Sequence, residues 1–256
     1  MLHPWIKDIR FAARPGETGV TQNIYCGLQE FQEMAYVLHV TRQEDLFVDV
    51  GANAGSYTLL ACGVCGARGY AFEPVPTTYE RLVQNIHLNH LNERVKTLNI
   101  GISDEDEEIS FTAGLDTTNH ALTQHETAKT FTKVKVLPLD AVLKNESPSI
   151  IKIDVEGMET LVMRGMKQTL ELPGLHSIIV ELNGSGQRYG FDEMEVIGTL
   201  RASAFNPYRY DPLQKTLTPI ENKNPLSGNT LFLRKLDFIQ RRLANSPRLS
   251  LGFAEI

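Results

Sequence analysis

Four carboxylates stand at or beside the ends of short apolar runs. They are Asp49 in Leu46–Val50, Glu73 after Gly69–Phe72, Asp154 after Ile150–Ile153 and Glu181 in Ser177–Leu182. Short apolar runs bounded by turn residues read as strands buried within a sheet. In an open α/β sheet the ligand lies outside the carboxyl ends of the strands, where these acids fall. The first run leads into Gly51-Ala52-Asn53-Ala54-Gly55, followed by Ser56, Tyr57 and Thr58. Gly51 and Gly55 would let the backbone approach a ligand without a Cβ in the way. Glu73, about 20 residues further on, is placed to accept hydrogen bonds from ribose hydroxyls, with Pro74 beside it.

That arrangement is shared by NAD-type and S-adenosylmethionine-type sites, so the loop must separate them. A dinucleotide fingerprint is G-x-G-x-x-G with pyrophosphate on the helix N-terminus. Here Asn53 holds the middle position and Ser56 takes the place of the third glycine. Asp49 would repel a pyrophosphate but could engage a cationic amino acid moiety. The loop favours S-adenosylmethionine. Gly101, Ser103 and Asp104 leave the third strand where an adenine would lie if Glu73 holds the ribose.

Methyl transfer from a sulfonium is an in-line displacement, so the protein must align the acceptor and take its proton. Candidates for the proton are Asp154, Glu156, Glu181 and Asn183 at strand ends. His120 could reach in from the irregular stretch Phe111 to Phe131, because a neutral imidazole accepts a proton near pH 7. A structural hydrogen bond would explain His120 equally well; His125 and His176 read as structural. A metal version is also open: Asp154, Glu181 and Asn183 offer hard oxygen ligands suited to magnesium. Glu156 and Glu159 could instead cap the helix after Gly157.

The elements that must position these groups alternate regularly. Strands at 46–50, 69–73 and 95–100 are separated by helices at 56–65 and 77–91. Further strands follow at 150–153, 177–182, 205–210 and 229–234, with helices at 158–170 and 192–202. Alternating βα units imply a parallel, doubly wound sheet of about seven strands. The 256 residues suit one domain: an extension over 1–45, a core over 46–234 and a tail over 235–256. The extension holds a loop at Arg14 to Gly19 and a packing helix at Gln29 to Val40. Thr18 to Leu28 and Pro212 to Gly228 could form lids, and the tail reads as a short helix with a loose end. A formal charge of −6 argues against binding bulk nucleic acid through its phosphates. The sequence lacks a secretory pattern and a membrane span, and three cysteines fit a reducing cytoplasm. Cys62 and Cys65 form a C-x-x-C inside a helix, with no second pair at ligand spacing. They read as buried thiols rather than zinc ligands.

Asp49-Val50-Gly51-Ala52-Asn53-Ala54-Gly55, Phe72-Glu73-Pro74 and Ile151-Lys152-Ile153-Asp154-Val155-Glu156-Gly157-Met158-Glu159 occur in that order. Together they resemble the FkbM family of S-adenosylmethionine-dependent methyltransferases, from about Leu46 to Leu233. The resemblance implies a class I, Rossmann-like methyltransferase fold with seven strands, the last antiparallel. It implies methyl transfer mostly to hydroxyls of sugars and secondary metabolites. Some relatives are associated with side-chain amide nitrogens of modified peptides. By position, Asp49, Gly51, Asn53 and Gly55, with Ala52, Tyr57 and Thr58, would face the methionine and ribose parts of the cofactor. Glu73 and Pro74 would take the ribose, Gly101, Ser103 and Asp104 the adenine, and Asp154 the methionine end beside the acceptor. A module that holds the cofactor without turnover is the competing class, and carboxylates at three strand tips weigh against it. The acceptor would be a small molecule, sugar or peptide, and the oligomeric state is open.

Overall fold

Every residue of Leu46–Val50 and of Ile150–Ile153 is buried, as strands covered on both faces require. The computed structural model describes residues 1–13, 18–112, 119–123, 130–251 and 255–256. The chain opens with a hairpin, β1 (Leu2–Pro4) and β2 (Arg10–Ala12), then α1 (Thr18–Cys26) and α2 (Phe31–Val40). Next come β3 (Leu46–Val50) and α3 (Ser56–Thr58), which continues as a π-wound stretch, Leu59–Val64. β4 (Arg68–Phe72), α4 (Pro76–Leu88) and β5 (Val95–Leu98) complete the first half. A second, three-stranded sheet is formed by β6 (Gly101–Ser103), β7 (Glu107–Thr112) and β8 (Phe131–Pro138) in the order β6-β8-β7. After α5 (Leu139–Val142) follow β9 (Ile150–Ile153), α6 (Glu159–Gly165), α7 (Lys167–Glu171) and β10 (Ser177–Glu181). The chain continues through α8 (Glu193–Ala202), β11 (Asn206–Asp211), β12 (Thr216–Pro219), β13 (Asn229–Leu233) and α9 (Leu236–Ala244).

The main sheet has the order β12-β11-β13-β10-β9-β3-β4-β5. The five strands from β5 to β10 are parallel, whereas β13 runs antiparallel to both neighbours. The chain therefore winds outward from β3 to β5 and restarts at β9 on the other side. That reversal opens a crevice between β3 and β9. The doubly wound sheet and its reversed strand agree with the sequence. β12 adds an eighth strand in a segment expected to be a lid, where alternating Thr and Leu suit an exposed edge.

Successive residues of β3 face opposite cores, as the two-residue period dictates. Phe47 belongs to the same core as Tyr36, Leu59 and Tyr210, whereas Val48 and Val50 belong to the other, with Ile151, Ile178 and Phe205. The N-terminal hairpin docks on α4 through two amides. Asn89 Oδ1 accepts from Arg10 N at 2.8 Å and Asn85 Oδ1 from Ala12 N at 2.9 Å. Asn85 also donates to Ala54 O at 2.9 Å, so one side chain ties the hairpin to the glycine loop. The tail end is anchored rather than loose: Leu249 and Ile256 are buried and exchange backbone hydrogen bonds. Cys62 and Cys65 are free thiols, and burial raises both above the usual range, Cys65 to about 12. Among the described residues no helix is long and apolar enough to cross a membrane.

Candidate active site

A cavity of about 420 Å³ opens at the carboxyl ends of β3, β4 and β9, within the range of small-molecule sites. Its floor is the glycine loop. Gly51 has a φ of +81°, and a Cβ there would lie 1.8 Å from the backbone oxygen of Asp154. Only glycine lets β3 and β9 come that close. Gly55, at φ +94°, performs a different task from the one expected. It lies outside the cavity lining and allows the loop to pack on Leu82 of α4. Asp49 lies beneath the loop, with Oδ2 accepting from Thr58 N at 3.0 Å and Thr58 Oγ1 at 2.5 Å. Burial raises Asp49 to about 6, while Thr58 and Lys152 favour its ionised form.

Glu73 clamps the other wall. Its Oε2 accepts from Asn53 N at 3.0 Å and its Oε1 from Val75 N at 2.9 Å. Each oxygen keeps a lone pair for a further donor, as a ribose diol requires. Burial raises Glu73 to about 7, opposed by those two backbone N–H groups. Beyond Glu73 the lining turns apolar, with Phe72, Ile100, Ile102, Phe111 and Val136 beside Pro74 and Gly101. A flat heteroaromatic group suits that end. Ser103 and Asp104 do not line it. β6 pairs with β8, and the Ser103 carbonyl is packed against Gly165 of α6, which turns both residues away from the crevice.

The opposite end is built around a residue the sequence reading left without a role, Lys152. Its side chain is 1% exposed. Nζ donates to Asp154 Oδ2 at 3.0 Å and Asn229 Oδ1 at 2.8 Å, and lies 5.3 Å from the centre of the Tyr57 ring. Burial opposes its charge, but Asp154, Glu30 and Glu181 outweigh that and raise it above the usual range. The signal was a lysine inside an apolar strand: a cation there must be paired. Asp154, Glu156 and Glu181 bring carboxylate oxygens within 4.8 Å of one another. Burial, then Asp154, raise Glu181 above the usual carboxylate range, while Lys152 acts the other way. Burial, then Asp154 and Glu159, raise Glu156 to about 7, while Arg188 and His120 act the other way. Glu156 has a φ of 54°, a strained value for a side-chain-bearing residue. Glu159 holds that turn, accepting from Val155 N at 3.3 Å and Gly157 N at 3.2 Å.

The three acids could each offer one oxygen to a hard cation; Asn183 is arranged otherwise. Its Nδ2 donates to Glu181 Oε2 at 2.9 Å, and its Oδ1 is taken by Ser185 N at 2.9 Å. Glu156 stands where Asn183 was expected. His120 is buried behind the lining, its backbone paired with Thr112, while Asn119 beside it reaches the cavity. His125 lies outside the described residues. The N-terminal segment roofs the acid end. Gln22 and Asn23 of α1, with Gln29 and Glu30, line the cavity, and Tyr57 Oη donates to Glu30 Oε2 at 2.5 Å. The segment read as a possible lid is thus a helix bonded to the loop, Asn23 Nδ2 donating to Ser56 Oγ at 3.3 Å.

A parallel-rich sheet with one reversed inner strand and a crevice at the switch point defines a Rossmann-like methyltransferase fold. Methyltransferase FkbM from Methylobacillus flagellatus KT shares it, with a TM-score of 0.51 at 16% identity over 75% of this chain and 44% of that one. The family model for the methyltransferase FkbM domain matches residues 49–205, and the chain belongs to that family. The hexuronic acid methyltransferase AglP of Haloferax volcanii is 29% identical over 152 residues. That match covers 57% of this chain and 59% of AglP, less than two thirds of the relative's length.

Proposed function

We propose that this protein transfers a methyl group from S-adenosylmethionine to a hydroxyl of a sugar or sugar-bearing metabolite. The observation that carries the reading is one cavity joining two chemically distinct ends. At one end Glu73 and the apolar wall suit a nucleoside. At the other, Asp154, Glu156 and Glu181 converge beside the glycine loop. Bound there, S-adenosylmethionine supplies an electrophilic methyl carbon on a sulfonium. Asp49 and the loop backbone hold its amino acid part, and Glu73 holds the ribose diol. Glu156, poised near 7, accepts the proton of the acceptor hydroxyl, since a base works best with a pKa close to the working pH. Asp154 and Glu181 orient that hydroxyl, and the α1 roof limits water. The kinship with an enzyme named for a sugar acid supports a sugar acceptor.

Calorimetry with S-adenosylmethionine and with NAD, followed by mass spectrometry of sugar glycosides for a product heavier by one CH₂, tests the reading. Binding of the former alone, and one methyl added, is the expected result. A folded protein that binds no S-adenosylmethionine rejects it. Glu156→Gln should slow turnover while leaving cofactor affinity intact.

A further inference from the structure

We propose that the acceptor carries no carboxylate or phosphate near its reacting hydroxyl, and is a neutral or amine-bearing polyol. The inference rests on the cofactor reading above and concerns the charge of the cavity. Six carboxyl groups line it: Glu30, Asp49, Glu73, Asp154, Glu156 and Glu181. Among the described residues the only cation in the lining is Lys152. That ammonium is committed, since it bonds Asp154 and Asn229 and covers the Tyr57 ring from a position 1% exposed. It has no face left for an incoming anion. Arg188 favours the ionised form of Glu156 but does not line the cavity.

An enzyme that takes an acid acceptor needs a cation in reach, most effectively an arginine fork on the carboxylate. Here the position is held by acids. Three of their oxygens already lie within 4.8 Å of one another, with no cation among the described lining residues standing between them and the acceptor end. A further anion in that space would meet like charge, and beside the cofactor sulfonium no uncommitted cation among the described residues offsets its desolvation. Hydroxyls and ammonium groups, in contrast, donate to carboxylates. Gln22, Asn23 and Gln29 on the roof add neutral donors and acceptors suited to a polyol. The charge preference therefore differs from the one that the name of the hexuronic acid relative implies for that enzyme.

The test reads binding and needs no known acceptor. Three ligands are compared by calorimetry against S-adenosylmethionine on the full chain. They are S-adenosylhomocysteine, an analogue with an amine in place of the sulfonium methyl, and a sulfonium whose methyl is replaced by carboxymethyl. The last two project a cation and an anion into the acceptor end. The carboxymethyl sulfonium should bind at least about tenfold more weakly than S-adenosylmethionine, and the amine at least as tightly as S-adenosylhomocysteine. Glu156→Gln with Glu181→Gln should recover most of the loss. A carboxymethyl ligand bound as tightly as S-adenosylmethionine by the wild-type protein overturns the inference while leaving the cofactor reading intact. Failure of S-adenosylmethionine itself to bind overturns both.

Discussion

Lys152→Met removes the one cation in the described lining, and its effect can be worked from two distances. Nζ lies 3.0 Å from Asp154 Oδ2 and 2.8 Å from Asn229 Oδ1, with the lysine 1% and the Asp154 side chain 29% exposed. Breaking a fully buried ion pair costs about 3–5 kcal/mol, because the surviving charge is left without a partner. The partial exposure of Asp154 lets water screen it, which brings the expected loss for Lys152→Met to about 3 kcal/mol. Asp154→Asn leaves the more deeply buried charge behind, but a carbonyl oxygen, Glu30 and Glu181 still favour it, so the loss should be about 2 kcal/mol. The double variant has neither charge to strand and should lose about 3 kcal/mol, giving a coupling near 2 kcal/mol. Urea denaturation of the four proteins at constant pH and salt measures it. A coupling below about 0.5 kcal/mol would mean that the pair is incidental, and the account of Lys152 as the organiser of the acid end would fail.

Gly51→Ala should cost about 1–2 kcal/mol for the left-handed backbone alone, and more for the clash with the Asp154 carbonyl, with cofactor affinity falling as β3 and β9 separate. A variant with wild-type stability and affinity would refute the close-approach role. The pH dependence of stability has a definite sign. Glu33, Glu73 and Glu159 are raised to about 7, chiefly by burial, so the folded protein holds protons that the unfolded chain releases above pH 4.5. Stability from these groups is complete at low pH and is lost as pH rises through 7. His39 and His176, lowered to about 4 by burial, act oppositely between 4 and 6.5. Above pH 6.5 only the acids remain, and their loss tails off through pH 7, from about 1 kcal/mol per pH unit for each group at pH 6.5 towards nothing by pH 8. Denaturation midpoints that stay flat or rise from pH 6.5 to 8 would contradict this. Because Lys152 already occupies one oxygen of Asp154, turnover should stay within about twofold after exhaustive chelation. Activity lost on chelation and restored by magnesium would show that the acids hold an ion after all.

The strands were readable because a parallel strand buried on both faces has no choice but to be apolar throughout, as in Leu46–Val50 and Ile150–Ile153. Glu73 was readable for the same reason: an acid closing such a run has one place to go. Ser103 and Asp104 were misplaced because chain distance from Glu73 says nothing about whether the next residues stay with the first sheet. They joined a second one, through pairing with β8, whose partner residues lie 35 positions ahead. Gly55 illustrates another limit. Its spacing from Gly51 suggested a shared ligand contact, but its partner is Leu82, one helix away. Lys152 was hidden by the ordinary expectation that lysine marks a surface. Asn229, which completes its bonding, is 77 positions distant, and no local pattern could have joined them.

That long reach bears on where this protein can be cut and recombined. The recognisable family segment ends at residue 205, before β13 contributes Asn229 to the buried ammonium. A chimera spliced at the edge of detectable kinship would inherit the lysine from one parent and its carbonyl partner from another. Grafts that carry β13 along with β9 should keep a working interior, and grafts that divide them should not. The inheritable unit is therefore larger than the stretch by which the lineage is recognised.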